Sequence, residues 1–166
     1  MIKNCQRLVS DLFKGLGSYS EYIKENGIAT SLETDLGDAP ERKSSKPLYY
    51  SVTAKLDHAF PPELDDLCRL HFLVRSRKVM TVLEFGLGQS TIVFDLALQR
   101  NKLEYSDILL EHVRRCNPFY CYSVENNERW INELTSKHKL DRVEILKSSL
   151  QMTKFNDRPV TMYDRL

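Results

Sequence analysis

The segment that decides the fold is Glu84-Phe85-Gly86-Leu87-Gly88-Gln89-Ser90-Thr91, at positions 84–91. It follows an apolar run of strand length, 79–85, and precedes a stretch, 89–101, whose apolar residues recur with a helical period. Glycines at 86 and 88 allow the backbone to turn tightly and a ligand to approach it closely. The following helix would present unpaired amides and its positive dipole end, which suits an anionic group. The segment therefore predicts a strand, a ligand-binding turn and a helix.

The alternation of strand and helix continues on both sides of this segment. A helix is expected over 61–78, because prolines open it, acidic residues fill its first turn and basic residues close its last. Downstream, the sequence predicts a strand over 119–124, a helix over 128–139 and a strand over 143–146. Such alternation favours a parallel sheet with covering helices, so the predicted fold class is α/β.

The residues around the glycine turn separate two classes of nucleotide-binding protein. A dinucleotide-binding fold would have Gly-x-Gly-x-x-Gly or Ala, but Thr91 stands at the last position. An acidic residue two before the first glycine, followed by Gly-x-Gly-x-Gly or Ser, is the first motif of class I S-adenosylmethionine-dependent methyltransferases. Residues 84–91 resemble the variant of this motif that ends in Ser-Thr, with Ser90 in place of the third glycine. The resemblance covers roughly 79–150 and implies a Rossmann-like parallel sheet that binds S-adenosylmethionine.

A second acidic position supports the resemblance, at the end of the second predicted strand, in Tyr122-Ser123-Val124-Glu125-Asn126-Asn127. A carboxylate there can accept hydrogen bonds from both ribose hydroxyls of an adenosine. The resemblance assigns that role to Glu125 and places Asn126 against the adenine. The alternative is that Glu125 caps the following helix. Ser148 and Ser149 come after the third strand, where the family often has a polar residue that meets the adenine amino group.

The sequence distance between the two motifs departs from the usual pattern. The acidic residue normally follows the glycine turn by about 20 residues. Gly86 and Glu125 are almost twice that far apart. We expect the excess, from Lys102 to Pro118, to form a second, inserted helical piece.

By this resemblance, the function is methyl transfer from S-adenosylmethionine to an acceptor that the sequence does not identify. Gly86 and Gly88 would hold the methionine end of the cofactor, with Ser90 and Thr91 completing the turn. Glu84 would anchor the amino group of that end directly or through water. No residue can be named as a base, because the family builds its acceptor side largely from a fourth strand and the residues after that strand.

The sequence stops at Leu166 after only three predicted core strands. In the family, strand one lies inside the sheet, so a chain that ends here would leave a hydrophobic edge unpaired. We therefore expect a truncated chain, or one completed by a partner such as a second copy in a homo-oligomer. A short strand over 158–166 would cover part of the exposed side.

The chain before the resemblance divides differently. Residues 1–60 are expected to form helices, broken at Gly15 and Gly17, followed by a polar connector over 26–57. Residues 61–166 would form the cofactor-binding domain, incomplete at its C-terminal end.

Composition excludes several partners. The formal net charge is +1, and the small basic clusters are expected to be solvated helix ends, so we expect no nucleic-acid partner. No apolar run reaches the roughly 18 residues of a membrane span, so we expect no membrane partner. The 4 cysteines lack the spacing of a zinc site and are interpreted as free thiols, which predicts no metal and a cytoplasmic location.

Two other functions are consistent with the same pattern. One is a nucleotide-binding domain of the NAD type, built on a similar sheet. The other is a non-catalytic interaction module that keeps the fold without a working site. The first would bind NAD rather than S-adenosylhomocysteine, and the second would bind no adenosyl ligand.

Overall fold

A computed structural model describes residues 13–32, 63–109 and 118–164. Five helices lie within these ranges: α1 (Tyr19–Glu25), α2 (Ile28–Ser31), α3 (Leu64–Ser76), α4 (Gln89–Leu109) and α5 (Glu128–Lys137). Five strands accompany them: β1 (Thr81–Phe85), β2 (Tyr120–Glu125), β3 (Val143–Lys147), β4 (Leu150–Phe155) and β5 (Arg158–Tyr163). The predicted boundary at residue 60 lies outside the described residues.

The first three strands form a parallel sheet in the order β1-β2-β3. Phe85 pairs with Val124, and Glu125 pairs with Lys147. Gly86 therefore follows β1 and Glu125 ends β2, so both residues lie where neighbouring parallel strands end. The predicted α/β class is confirmed at this level, with a three-stranded parallel sheet and accompanying helices.

The helices bury apolar residues against the sheet and against each other. Val82, Cys121 and Val143 of the sheet belong to one core with Val74 of α3 and with Ala97 and Leu98 of α4. The side chain of Asn101 connects α4 to α3, because its Nδ2 donates to the carbonyls of Val74 at 3.0 Å and Val79 at 2.9 Å. The Val74 carbonyl also accepts from the Val79 amide at 2.9 Å, so Asn101 binds the segment that leads from α3 to β1 at two points.

The N-terminal helices share a core with the later ones, and this changes the predicted connector. Ile23, Ile28 and Leu32 pack in one buried cluster with Leu64 and Ile92. The connector was expected to begin at Asn26, which is wrong for 28–32, because the apolar side chains there are numerous enough to order a short helix. Gly15 and Gly17 adopt φ of 102° and 70° and lie before the start of α1, as expected of a break there; the helix expected before them lies outside the described residues.

The helix after the glycine turn is longer than the sequence predicted. It was expected to end near Asn101, with a separate inserted piece from Lys102, yet α4 runs without interruption to Leu109. Residues 102–109 contain no glycine or proline, so no residue there stops the helix. Residues 110–117, the rest of the expected insertion, lie outside the described residues.

The last two strands form a separate antiparallel hairpin. β5 matches the strand that was expected over 158–166, but its partner β4 was not predicted. Asn156 and Asp157 have φ of 50° and 60°, the conformation of a type I′ turn, which suits the twist of a two-residue hairpin. The hairpin touches the main sheet where the ring of Tyr163 stacks on Phe85 at 5.8 Å between centroids.

Within the described residues, β1 is the outer strand of the parallel sheet, and apolar side chains on it are accessible. Leu83 is 54% exposed and Phe85 is 58% exposed. These side chains lie two residues apart and therefore on the same face of the strand; the truncation that was expected to leave an unpaired edge stays a prediction. Among the described helices, none is long and apolar enough to cross a membrane.

Candidate functional site

The glycine turn continues the sheet before it bends into α4. The Gly86 amide donates to the carbonyl of Val124 at 2.8 Å, which extends the β1–β2 ladder by one residue. Gly86 has φ of +96°, a backbone conformation that residues other than glycine rarely adopt. A Cβ placed on Gly86 or Gly88 would meet no atom within 4 Å. The space beside the turn is therefore open to a ligand.

Glu84 lies under this turn and is held by three hydroxyl groups. Thr91 Oγ1 donates to Oε2 of Glu84 at 2.6 Å, and Ser123 Oγ donates to the same oxygen at 2.9 Å. Ser90 Oγ donates to Oε1. Thr91 also accepts a hydrogen bond from the Gly88 amide at 3.0 Å. The carboxylate thus ties the end of β1 to the first turn of α4 and to β2.

Burial raises the pKa of Glu84, and the hydrogen bonds from Ser90, Thr91 and Ser123 oppose that rise. Burial, followed by the charges of Glu84 and Asp95, raises the pKa of the Cys121 thiol to about 12. The causes of the Glu84 shift include no positive charge. Glu84 is therefore a partly buried acid that is stabilised by neutral donors.

Glu125 ends β2 and is bound by three backbone amides. Its Oε2 accepts from the Leu87 amide at 2.9 Å, and its Oε1 accepts from the amides of Asn126 and Asn127, each at 2.8 Å. The side chain is 6% exposed. The two predicted motifs are thus in direct contact, although 38 residues separate Leu87 from Glu125 in sequence.

The acceptor capacity of the two acids limits what a ligand could gain from them. A carboxylate has about four lone-pair positions, and Glu125 and Glu84 each use three of them in the bonds above. One position therefore remains on Oε2 of Glu125 and one on Oε1 of Glu84. Acceptance of both ribose hydroxyls by Glu125 stays a prediction, and it would require one of the three amides to release the carboxylate.

Helix capping, the alternative role predicted for Glu125, is carried out by Asn127. Asn127 is the N-cap of α5, and its side chain accepts from the Arg129 amide at 3.0 Å. Glu125 instead organises the two residues that precede the helix. Its hydrogen bonds connect this loop to the glycine turn.

The remaining predicted residues are spread around Glu125. Asn126 is exposed, Ser148 is 5% exposed and donates its amide to the Glu125 carbonyl at 3.0 Å, and Ser149 is exposed. All three lie at the carboxyl ends of β2 and β3, beside the turn. Their contact with an adenine stays a prediction.

Two residues near the site were not predicted. Ser123 is fully buried and faces Glu84 across the β1–β2 pair. Its position on β2 could have been noticed in the sequence, since it shares a face with Glu125 two residues later. Burial and the charge of Glu125 raise the pKa of Tyr163, which the hairpin brings to this end of the sheet. Nothing local in the sequence connects Tyr163 with the glycine turn.

The sequence predicted unpaired amides that could bind an anion at the turn, but two of these amides already have hydrogen-bond partners. The Leu87 amide binds Glu125 and the Gly88 amide binds Thr91. By contrast, Oε1 of Gln89, the first residue of α4, is buried and has no hydrogen-bond partner among the described residues. The first turn of α4 therefore contains a buried acceptor without a partner among the described residues, while two of the nearby donors are already used.

Two other polar features lie away from this turn. The carboxylates of Glu63, Asp65 and Asp66 lie within 4.8 Å of one another, but Arg69 already pairs with Asp66 at 2.5 Å. A separate cleft of about 360 Å³ lies where α2 and α4 meet the loop before β3, with Asp95 in its wall. That carboxylate accepts from the Arg142 amide at 2.5 Å and from Gln99 at 2.6 Å, so it mainly secures the loop.

Comparison with known proteins adds no family to this geometry. No protein-family model, no curated protein and no solved structure matches the chain.

Proposed function

We propose that this chain is the cofactor-binding half of an S-adenosylmethionine-dependent methyltransferase with a Rossmann-like sheet. The observation that carries the proposal is the 2.9 Å hydrogen bond between the Leu87 amide and Oε2 of Glu125. It brings the glycine turn and the acidic strand end together at the carboxyl edge of two parallel strands. Ligands of open α/β sheets bind at such edges.

Charge favours S-adenosylmethionine over a dinucleotide. Two carboxylates, the partly buried Glu84 and the buried Glu125, flank the turn, and their hydrogen-bond partners among the described residues are neutral hydroxyls and amides. A pyrophosphate placed here would meet like charge, and the Leu87 and Gly88 amides that could bind it already have partners, which is unfavourable in a partly dry site. An ammonium and a sulfonium would instead supply the missing positive charge.

The residues have distinct roles in this proposal. Gly86 and Gly88 give the methionine end room beside the backbone, and the acceptors Gln89 Oε1 and Glu84 face its ammonium. Glu125 holds one ribose hydroxyl, and Asn126, Ser148 and Ser149 surround the adenine. S-adenosylmethionine would supply the electrophilic methyl group for an in-line displacement, and the chain's own contribution is to bind and orient. The acceptor and the base are outside this assignment.

Calorimetric titration with S-adenosylhomocysteine and with NAD tests the proposal. We expect heat with S-adenosylhomocysteine, and micromolar binding of NAD alone would refute the methyltransferase assignment. Glu125→Ala should weaken binding by about 1.5–3 kcal/mol, the scale for a lost hydrogen bond to a charged group. Gly86→Val should weaken it more, because a branched residue is strained at φ of +96°.

A matched control is Glu133→Ala. Glu133 lies on α5 and pairs with Lys137 at 2.9 Å on the surface. This variant should bind S-adenosylhomocysteine like the unmodified chain. If Glu125→Ala and Gly86→Val also leave binding unchanged, the cofactor does not bind at the glycine turn.

One observation favours a second candidate function, a non-catalytic interaction module. Glu84 and Glu125 already have three intramolecular donors each, as a purely structural pair of acids would. This candidate predicts that S-adenosylhomocysteine does not bind and that Glu125→Ala changes stability alone. We further propose a cytoplasmic location, because the buried thiols of Cys68 and Cys121 are unpaired, as in reducing compartments.

A further inference from the structure

We propose that Ser123 and Thr91 are positioning residues, which hold the Glu84 carboxylate in place under the glycine turn for the cationic end of the ligand. The inference rests on the proposed function and extends it to two side chains that the ligand does not touch. Both side chains are fully buried, so neither can reach a bound molecule. Their hydroxyls both donate to Oε2 of Glu84, at 2.6 Å from Thr91 and 2.9 Å from Ser123.

The two hydroxyls leave one oxygen of Glu84 for other partners. Because Oε2 takes both of these donors, Oε1 is the oxygen with a remaining acceptor position, and it is shared only with Ser90 among the described residues. Thr91 also accepts from the Gly88 amide at 3.0 Å, so the same hydroxyl sets the second glycine of the turn. Ser123 Oγ lies 3.4 Å from the Gly86 carbonyl, next to the first glycine. Carboxylate and turn are therefore fixed as one unit.

The hydroxyls also favour the ionised form of Glu84. Burial raises the pKa of this acid, and donors to its oxygens lower it. Removal of a donor should raise the pKa further, so that Glu84 loses its charge at a higher pH. A ligand that carries an ammonium group would then begin to dissociate at a higher pH as well.

Other ionisable groups near Glu84 do not explain such a shift. On β2, Cys121 stays neutral because its pKa is about 12, and Glu125 is bound by three amides. On α4, Asp95 is held by the Arg142 amide and by Gln99. None of these groups contacts the substituted hydroxyls in the described part of the chain. Their contribution is common to every variant and cancels in the comparison.

The test is the dissociation constant of S-adenosylhomocysteine between pH 5 and pH 8 for the full chain and its variants. Thr91→Val removes the hydroxyl at nearly constant volume, and Ser123→Ala removes the other. We expect the pH at which half of the affinity is lost to rise by about one unit in each variant, the equivalent of one lost charge-assisted hydrogen bond. Thr91→Ser restores a hydroxyl and should restore the profile.

Controls separate positioning from general damage to the fold. Thr135→Val makes the same substitution on the surface of α5, where Thr135 donates to the Ile131 carbonyl at 2.8 Å, and should leave the profile unchanged. Adenosine lacks the ammonium, so its binding should not follow the titration of Glu84.

Three outcomes would contradict the proposals in different ways. A profile that falls equally at every pH in Thr91→Val and Ser123→Ala would refute the positioning role and indicate loss of structure. An unchanged profile in both variants would refute it as well. Absence of S-adenosylhomocysteine binding by the unmodified chain at every pH would instead refute the proposed function.

Discussion

Acidification should destabilise this protein through His71, a buried histidine of α3. Its side chain is fully buried, and its Nδ1 lies 2.8 Å from the hydroxyl of Tyr22. Nε2 has no hydrogen-bond partner among the described residues. Burial, with smaller effects of Arg100 and Arg75, lowers the pKa of His71 from 6.5 to about 3. The imidazole is therefore neutral in the folded chain at any ordinary pH.

The size of the effect follows from the two pKa values. Below pH 6.5 the unfolded chain binds a proton at this histidine, whereas the folded chain does not until about pH 3. The stability that the neutral histidine allows is complete above pH 6.5 and is lost as the pH falls through this window. Integration from pH 7 to pH 5 gives a loss of about 2 kcal/mol, a substantial part of the 5–15 kcal/mol typical of a domain.

The assay is urea denaturation at pH 7 and pH 5 of the unmodified chain and of His71→Gln. Glutamine keeps a polar group near Tyr22 and does not titrate, so the difference between the two chains isolates the histidine. We expect the unmodified chain to lose about 2 kcal/mol more than the variant. Equal losses in both chains would refute the reasoning, as would an NMR titration in which the ring of His71 takes up a proton near pH 6.

Three further predictions concern single contacts. Gly86→Ala should lower the free energy of unfolding by about 1–2 kcal/mol because φ is +96°, whereas Gly88→Ala, with no such φ and open space around it, should cost less; equal midpoints in chemical denaturation would contradict this. Cys68 and Cys121, whose pKa values burial raises to about 12, should resist iodoacetamide at pH 8 in the folded chain and react in urea, as peptide mass spectrometry would show. Asn101→Ala should destabilise the chain by about 1–3 kcal/mol in urea, since the buried carbonyls of Val74 and Val79 lose a donor; an unchanged midpoint would show that other donors replace it.

Local patterns were sufficient for much of the fold. The apolar run before Gly86, the glycine turn and the helical period after it predicted β1 and the start of α4. These signals are local because the periodicity of a strand or a helix depends on residues a few positions apart in sequence. The same reasoning failed for β4, whose residues are all exposed and therefore carry no clear pattern of burial.

The end of α4 shows another limit of local reasoning. A spacing rule predicted a separate piece from Lys102, but the helix simply continues to Leu109. The spacing between motifs does not specify the structure of the residues between them. Likewise, Ile28 and Leu32 join the core because α3 and α4 provide apolar partners. The prediction missed this because it treated residues 26–57 as one segment of polar composition.

By itself, the sequence determined that an acidic strand end and a glycine turn should lie at one edge of a parallel sheet, because the carboxyl ends of parallel strands meet there. The tertiary structure decided what these acids do. Glu84 meets Ser123 from 39 residues away, and Glu125 meets the Leu87 amide from 38 residues away. Such pairings depend on how separate strands are registered, and no local pattern specifies which donor will fill a given lone pair. That is why the sequence could nominate Glu125, but only the folded chain revealed that one of its acceptor positions remains open.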